Sequence, residues 1–256
     1  MLREPWRMKW ADIVLAGMRR VSRQAAEGCP FGGEELRVLR VLVGRYKGLH
    51  FAFSPQLREG KRIFRVFLHG SYEPHVTEWL TRTVRPGMTV AVIGAHVGVH
   101  VVYLGRLVGE TGRVYAFEPW PANHRQLLVN VELNRMRNVV PMQLALSDRT
   151  GTAAMAAGTT SGTHALTVDR TASDTTVVQV STLDTILGET PVHLMLVDVE
   201  GHEINVLRGG ARLIEACRPA LVLEHHDRET GLVSWLTERG YAVDRMKGHL
   251  MAVPRS

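Results

Sequence analysis

The chain has 256 residues, of which 45% are apolar and 22% are charged. This composition is typical of a globular protein with a sizeable core, and it excludes disordered, collagen-like and coiled-coil proteins. The two cysteines, Cys29 and Cys217, lie far apart in sequence. They exclude a disulfide framework and a cysteine zinc site, so we expect a protein of the reducing cytoplasm.

The net charge of +6 is concentrated at the start of the chain. Residues 1–65 hold 14 Lys and Arg against 6 Asp and Glu, a balance of +8, whereas residues 66–256 hold 17 against 19, a balance of −2. Such an asymmetry marks either a surface for an anionic partner or a solvated face. No basic run with interleaved aromatic residues is present, so nucleic acid is not the favoured partner. No stretch has the pattern of a membrane span or signal peptide.

Residues 4–26 predict an amphipathic helix, because apolar residues recur there at three- and four-residue steps. Its apolar stripe must cover the main domain or a second copy of the chain, so we expect a homodimer. Residues 38–43 and 63–68 predict two strands. Residues 1–70 are therefore interpreted as a helical and mixed extension that acts as a cap or a dimerisation element, and residues 71–256 as the main domain.

From residue 88 onward, short apolar runs alternate with longer amphipathic ones, and Gly or Pro marks each junction. Strands are predicted at 88–93, 114–117, 139–146, 177–180, 193–199 and 220–223, with a closing pair near Val243 and Met251. Helices are predicted at 97–108, 121–135, 183–187, from 203, and at 232–239. Residues 147–176 predict loops and a hairpin, or a lid. The alternation predicts an α/β fold with a parallel sheet covered on both faces.

Two strand ends carry the first functional signal. The first strand is followed by Gly94-Ala95-His96-Val97-Gly98, a turn that lets a ligand approach the backbone before a helix. The second strand is followed by Glu118, whose carboxylate can accept two hydrogen bonds from a ribose diol. Together they predict a nucleotide-like ligand.

The glycine spacing distinguishes two cofactor classes. A dinucleotide fingerprint needs Gly-x-Gly-x-x-Gly, whereas this chain has Gly-x-x-x-Gly with His96 inside the turn. The third strand ends in Ser147-Asp148, which places an acidic side chain where an adenine amino group would lie. These features favour S-adenosylmethionine (SAM) over a nicotinamide cofactor.

At this point the sequence resembles the FkbM-type SAM-dependent methyltransferases from about Ser71 to the end of the sheet. The motifs that carry the resemblance are Tyr72-Glu73-Pro74, Gly94-Ala95-His96-Val97-Gly98, Phe117-Glu118-Pro119, Ala145-Leu146-Ser147-Asp148, Val197-Asp198-Val199-Glu200-Gly201-His202-Glu203 and Leu223-Glu224-His225.

The resemblance implies a class I (Rossmann-like) methyltransferase fold with a seven-stranded, mostly parallel sheet, and methyl transfer to a hydroxyl of a sugar, polyketide or related small molecule. It implies that Glu118 binds the ribose, that Asp148 lies on the adenine side, and that Tyr72 and Glu73 close over the cofactor. It also implies that the turn of Gly94, Ala95, His96 and Gly98 passes under the methionine part. Two positions depart from the family, which usually has Asp where this chain has Val92 and Asn where it has His96.

A hydroxyl is a poor nucleophile until a base or a metal acts on its proton. Candidate groups are therefore expected where the fourth and fifth strands end. Asp198, Glu200, His202 and His225 are the catalytic candidates. Two mechanisms remain open: a divalent cation such as Mg²⁺ held by Asp198, Glu224 and His225, or a metal-free site with His202 or His225 as the base.

Three other functions are weighed against a small-molecule O-methyltransferase. A nucleic-acid methyltransferase fits the basic N-terminal segment, but the run Asp198-Val199-Glu200-Gly201 lacks the Pro-Pro-aromatic sequence that amino-methylating enzymes use to hold a flipped base. A nicotinamide oxidoreductase is disfavoured by the glycine spacing. A non-catalytic, cofactor-binding relative fits the replacement of the usual Asp by Val92.

Overall fold

The fold was analysed in a computed structural model that describes residues 18–20, 37–53, 66, 69–156, 165–167, 175–225 and 231–255, with backbone alone at 18–20 and 165–167. The chain divides into two compact units, Met1–Tyr72 and Glu73–Ser256.

The described part of the first unit is a three-stranded antiparallel sheet of β1 (Met18–Arg20), β2 (Arg37–Arg40) and β3 (His50–Phe53). The predicted helix over residues 4–26 is wrong at 18–20, where the backbone pairs with β2. Pairing with a strand that is distant in sequence overrides the local preference for a helix that the spacing of apolar residues indicates. The rest of that helix lies outside the described residues, and in the predicted strand 63–68 the one described residue, Val66, is helical.

The described residues of the second unit form eleven strands and seven helices. The strands are β4 (Thr89–Ile93), β5 (Arg113–Phe117), β6 (Val139–Met142), β7 (Ala145–Leu146), β8 (Gly151–Ala156), β9 (Ala165–Thr167), β10 (Thr175–Ser181), β11 (Leu194–Val197), β12 (Ala220–Glu224), β13 (Tyr241–Met246) and β14 (His249–Pro254). The helices are α1 (Pro74–Thr83), α2 (Val99–Val108), α3 (Pro121–Leu133), α4 (Leu183–Ile186), α5 (Glu203–Gly209), α6 (Ala211–Cys217) and α7 (Leu232–Glu238).

The central sheet has seven strands in the order β13-β14-β12-β11-β4-β5-β6. The five strands from β12 to β6 are parallel, and β14 runs antiparallel to both β12 and β13. The predicted seven-stranded, mostly parallel sheet is confirmed. The order reverses between β4 and β11, and this switch point is where open α/β sheets bind ligands.

Both faces of the central sheet are buried, as expected for a parallel sheet covered by helices. Side chains alternate along β4: Val90 and Val92 pack into one apolar cluster, and Ala91 and Ile93 pack into the other. No helix in the described part of the chain has the length and apolar character needed to cross a membrane.

A second, four-stranded sheet has the order β7-β10-β8-β9. The consecutive strands β8 and β9 pair antiparallel, and they form the hairpin expected within residues 147–176. The single strand predicted over 139–146 is instead two strands, β6 in the central sheet and β7 in the smaller one. Pro141 lies in β6, and because proline lacks an N–H donor it suits the edge position that β6 occupies.

Candidate active site

The glycine turn after β4 is tied to the end of β5. The backbone N–H groups of Gly94 and Ala95 donate to the carbonyl of Phe117, at 3.0 and 2.9 Å. The φ angles of Gly94 and Gly98 are +81° and +85°, which glycine adopts without strain. His96, at φ +50°, is also left-handed, a conformation that histidine adopts more readily than most residues.

Glu118 links this turn to α3. Its Oε2 accepts from the N–H of His96 at 2.7 Å, and its Oε1 accepts from the N–H of Trp120 at 2.9 Å. The residue is only 4% exposed. Burial raises the pKa of the Glu118 carboxyl to about 7, although the hydrogen bonds from Trp120, His96 and Asn123 lower it. A carboxylate oxygen can accept two hydrogen bonds. Asn123 Nδ2 also donates to Oε1, at 3.5 Å, so Oε2 retains capacity for one bond from a ligand hydroxyl.

Close packing fixes the turn against two other elements. A Cβ atom on Gly94 would lie 1.7 Å from the backbone oxygen of Asp198, so glycine allows the turn to touch the end of β11. The buried side chain of Asn130 on α3 donates to the carbonyl of Val97 at 2.7 Å. The turn is therefore rigidly held, and Asp198 is placed directly beside it.

Three carboxylates meet where β11 and β12 end. One oxygen each of Asp198, Glu200 and Glu224 lies within 4.8 Å of the others. The pKa of Asp198 is raised well above its usual range, first by burial and then by the hydrogen bond and charge of Glu224, with smaller contributions from the charges of Glu73 and Glu200. A cation bound beside Asp198 would oppose this increase in its pKa.

The loop between β11 and α5 is shaped by Glu203. This fully buried residue accepts the N–H of Val199 at 2.9 Å, and the N–H of Gly201 lies 3.4 Å from the same oxygen. Glu200 between them has a left-handed backbone, with φ +54°. Glu203 thus holds the strained loop that carries Glu200 toward Asp198.

Glu73 is surrounded by histidines. Its Oε2 lies 2.9 Å from His100 Nε2 and 3.8 Å from His249 Nε2, and His249 Nδ1 lies 3.1 Å from His75 Nε2. Burial alone would raise the pKa of Glu73, but the hydrogen bond from His100 and the charges of the three histidines lower it below its usual value. We call these four residues the Glu73 cluster.

His202, predicted as a catalytic base, contacts a residue that is also predicted to bind the cofactor. Its Nε2 lies 2.9 Å from Ser147 Oγ, and that hydroxyl donates to Asp148 Oδ1 at 3.1 Å. Burial lowers the pKa of His202, and the charge of Arg149 adds to this although Asp148 and Glu203 oppose it. The structure thus joins His202 to the two residues expected on the adenine side.

His225 was predicted to bind metal with Asp198 and Glu224, but it is not in the candidate ligand group found among the described residues. Its Nε2 contacts Arg245 Nη1 at 2.9 Å. The candidate ligand group in the described residues is Asp198, Glu200 and Glu224, so Glu200 takes the third place. Tyr72 is the last residue of the first unit, and its predicted cofactor contact stays a prediction.

Sequence reasoning missed His75, His100 and His249 as site residues. His75 and His100 each follow a motif that had been recognised, Tyr72-Glu73-Pro74 and the glycine turn. His249 begins β14, and its backbone pairs with that of Glu224. Because β14 runs antiparallel to β12, it starts at the edge of the sheet where the parallel strands end. The proximity of His249 to Glu224 could therefore be predicted only once the strand order was known.

A family model described as the methyltransferase FkbM domain matches residues 93–243, more than half of the chain. The chain therefore belongs to the FkbM methyltransferase family. At this general level it is a SAM-dependent methyltransferase, as the sequence resemblance predicted. No functionally curated protein matches it.

Three solved structures are among those that resemble this chain. FkbM from Methylobacillus flagellatus KT is 17% identical with a TM-score of 0.49, and the match covers 69% of this chain and 50% of that one. A putative rRNA methylase from Clostridium thermocellum is 13% identical with a TM-score of 0.48, covering 70% and 92%. Fibrillarin from Aeropyrum pernix, crystallised with SAM, is 14% identical with a TM-score of 0.42, covering 66% and 67%.

Proposed function

We propose that this protein is a SAM-dependent O-methyltransferase that methylates a hydroxyl of a small molecule or glycoside, such as a sugar, a polyketide or a related natural product. The proposal rests on one observation: side chains that can accept a proton lie together beside the glycine turn. Asp198 touches Gly94 through its backbone oxygen, and Glu200 and Glu224 lie next to it.

The residues present fit SAM. The carboxylate of Glu118 is held between the glycine turn and α3, with one acceptor position left on Oε2 for a ribose hydroxyl. Gly94 and Gly98 offer backbone without side chains for the approach of the methionine part, and we assign Ser147 and Asp148 to the adenine side. When bound there, SAM supplies an electrophilic methyl group.

Hydroxyl methylation needs a group that takes up the proton of the acceptor. Burial, together with the hydrogen bond and the charge of Glu224, raises the pKa of Asp198. A raised pKa makes a carboxylate a stronger proton acceptor. Such a site is less suited to nucleic acid, where base methylation uses hydrogen bonds to a flipped base.

A divalent cation is the second way to activate the hydroxyl. Asp198, Glu200 and Glu224 offer three hard oxygen donors, the type that Mg²⁺ prefers. A cation bound there would polarise the acceptor oxygen. We expect activity to survive chelation if protein groups alone accept the proton, and to be restored by added Mg²⁺ or Mn²⁺ if a cation is needed.

The proposal is tested by incubating the protein with ¹³C-methyl-labelled SAM and two matched panels of acceptor compounds. One panel contains methyl glycosides and phenols, and the other contains the corresponding amino sugars and anilines. NMR of the products shows which atom carries the label. Label on oxygen supports the proposal; label on nitrogen alone, or on added RNA, contradicts it. Asp198→Asn is expected to lower turnover by about 10²-fold or more.

We also propose that the first unit caps the cleft or forms a homodimer. Light scattering of the whole chain and of a variant that begins at residue 71 measures the mass of each. A dimer of the whole chain and a monomer of the shorter one would support dimerisation through the first unit, whereas equal stoichiometry would contradict it.

A further inference from the structure

The hairpin of β13 and β14 reaches the edge of the central sheet where the parallel strands end. Its turn consists of Lys247 and Gly248, and His249, directly after the turn, pairs with Glu224 at the end of β12. Glu224 in turn has a carboxylate oxygen within 4.8 Å of one of Asp198. The turn of the hairpin therefore lies at the same edge as the carboxylates of the candidate active site.

Two hydrogen bonds fix the hairpin against the end of β12. The backbone N–H of His225 donates to the carbonyl of Gly248 at 2.8 Å. Arg245 Nη1 lies 2.9 Å from His225 Nε2. A guanidinium has donors only, so Arg245 donates and the imidazole nitrogen accepts. An accepting imidazole brings no negative charge, so this bond orients the guanidinium and leaves its charge uncompensated.

No carboxylate in the described part of the chain forms an ion pair with Arg245 or Lys247, and both side chains are exposed. Asp244 is the one acidic residue of β13 and β14, and it points to the opposite face of the sheet. Its register partner Met251 packs in one apolar cluster, whereas Leu250, the partner of Arg245, packs in the other. We call Arg245 and Lys247 the cationic rim.

The backbone of the turn is unfavourable for a lysine. Lys247 and Gly248 have φ angles of +46° and +83°, so both positions of this two-residue turn are left-handed. Asn, Asp and Gly are preferred at the first position of such a hairpin turn, because other side chains are strained there. The chain accepts this strain at the residue that carries the ammonium group, and strain of this kind is typical of functional sites.

Charges of opposite sign thus meet at one edge of the sheet. Asp198, Glu200 and Glu224 lie beside the glycine turn, and Arg245 is bound to the residue that follows Glu224. A guanidinium binds a carboxylate or a phosphate through parallel N–H bonds, and an ammonium group adds a second positive charge. An acceptor with a hydroxyl at the carboxylates and an anionic group at the cationic rim would be held in one orientation.

We propose that the cationic rim is a subsite for an anionic group of the methyl acceptor, a carboxylate or a phosphate. The assignment of this group to the acceptor rests on the proposed O-methyltransferase function. It narrows the acceptor class to acidic glycosides, such as uronic acids and sugar phosphates, over their neutral counterparts.

The binding test is an NMR titration of the ¹⁵N-labelled whole protein with S-adenosylhomocysteine added, at constant ionic strength. The probes are methyl glucuronide, the 6-phosphate of methyl glucoside, and neutral methyl glucoside. We expect the backbone amide of Gly248 to report at least about tenfold tighter binding of an anionic probe than of the neutral one. The tighter anionic probe identifies the group as carboxylate or phosphate. Equal affinity for all three probes would overturn the inference.

Two variants test whether the anionic probe binds at the cationic rim. We expect its Kd to rise about tenfold in Arg245→Gln and about threefold in Lys247→Asn. Lys247→Asn should also raise the midpoint of thermal unfolding, because Asn suits the turn, so unfolding would not explain its lower affinity. Arg113→Gln, at an exposed arginine that begins β5, is the matched control with no expected change. A Kd that stays the same in both rim variants would contradict the proposal.

The cofactor also carries a carboxylate, so S-adenosylhomocysteine binding is measured by calorimetry in the same variants. We expect its Kd to change by less than about twofold in Arg245→Gln. A loss as large as that for the anionic probe would assign Arg245 to the cofactor and overturn the inference.

The titration needs no methyl transfer, so the inference and the proposed function can fail separately. Binding of the anionic probe at the cationic rim without a methylated hydroxyl would support the subsite and contradict the function. Methylation of the hydroxyl panel without a preference for anionic probes would support the function and contradict the subsite. On an anionic acceptor that is methylated, Arg245→Gln should raise KM about tenfold and change kcat by less than about twofold.

Discussion

The backbone N–H of His96 donates a 2.7 Å hydrogen bond to Oε2 of Glu118, and this bond joins the turn after β4 to the carboxylate after β5. The two strands are neighbours in the parallel sheet, so their carboxyl ends lie side by side. Two motifs that are 22 residues apart in sequence thereby become one binding surface.

The first prediction concerns the pH dependence of cofactor binding. The pKa of Glu118 is raised to about 7 in the free protein, and ribose hydroxyls donate better to the ionised form. Binding therefore favours the carboxylate, so affinity is full above this pKa and falls as the pH drops below it. We expect the Kd for S-adenosylhomocysteine, measured by calorimetry, to rise about tenfold per pH unit below pH 7.

Glu118→Gln is the control for this prediction because it keeps the shape of the side chain and removes its titration. We expect the variant to bind weakly at every pH, with a flat profile. An equally steep profile in the variant would show that another group causes the pH dependence.

The second prediction concerns Gly94. Alanine at this position would place its Cβ 1.7 Å from the backbone oxygen of Asp198, in a left-handed conformation. We expect Gly94→Ala to lower the free energy of unfolding by more than about 2 kcal/mol and to weaken cofactor binding, measured by denaturant titration and calorimetry. Gly188→Ala is matched, because Gly188 is also left-handed but has open space around it, and we expect a loss of only about 1 kcal/mol there. Similar losses in both variants would contradict the close approach.

The third prediction concerns His202 as a residue that positions Ser147 and Asp148. Removing the imidazole takes one hydrogen-bond partner from the buried Ser147 hydroxyl, which then orients Asp148 less firmly. We expect His202→Ala to weaken S-adenosylhomocysteine binding about fivefold and to reduce the preference over S-inosylhomocysteine, which lacks the adenine amino group. If His202→Ala lowers turnover without changing either affinity, His202 is the catalytic base of the original prediction.

The fourth prediction concerns Val92, where the family usually has Asp. Val92 is 1% exposed and packs in an apolar cluster with residues such as Val101 and Leu104. We expect Val92→Asp to lower the free energy of unfolding by about 3 kcal/mol, since this chain offers the carboxylate an apolar environment. Val177→Asp, at a 62% exposed position, is the matched surface control with little expected effect. If Val92→Asp is as stable as the wild type, polar groups near residue 92 stabilise the Asp that the family usually has there, and the prediction is wrong.

The central sheet could be predicted from the sequence because each strand is a short apolar run bounded by Gly or Pro, and because parallel strands place Glu118 and Asp198 at one edge. The division of residues 139–146 between two sheets could not, because both segments are apolar and only their partners differ. The Glu73 cluster could not be predicted from local sequence patterns either, because His75 and His249 are 174 residues apart in sequence. Their contact depends on the register of β14 against β12.

The most direct test of the account is a crystal structure of the protein with S-adenosylhomocysteine. We predict that the ribose hydroxyls contact the Glu118 carboxylate, that the adenine lies beside Asp148, and that the sulfur faces Asp198 and Glu73. A ligand bound elsewhere, or bound without a contact to Glu118, would contradict the cofactor site and the acceptor site inferred from it.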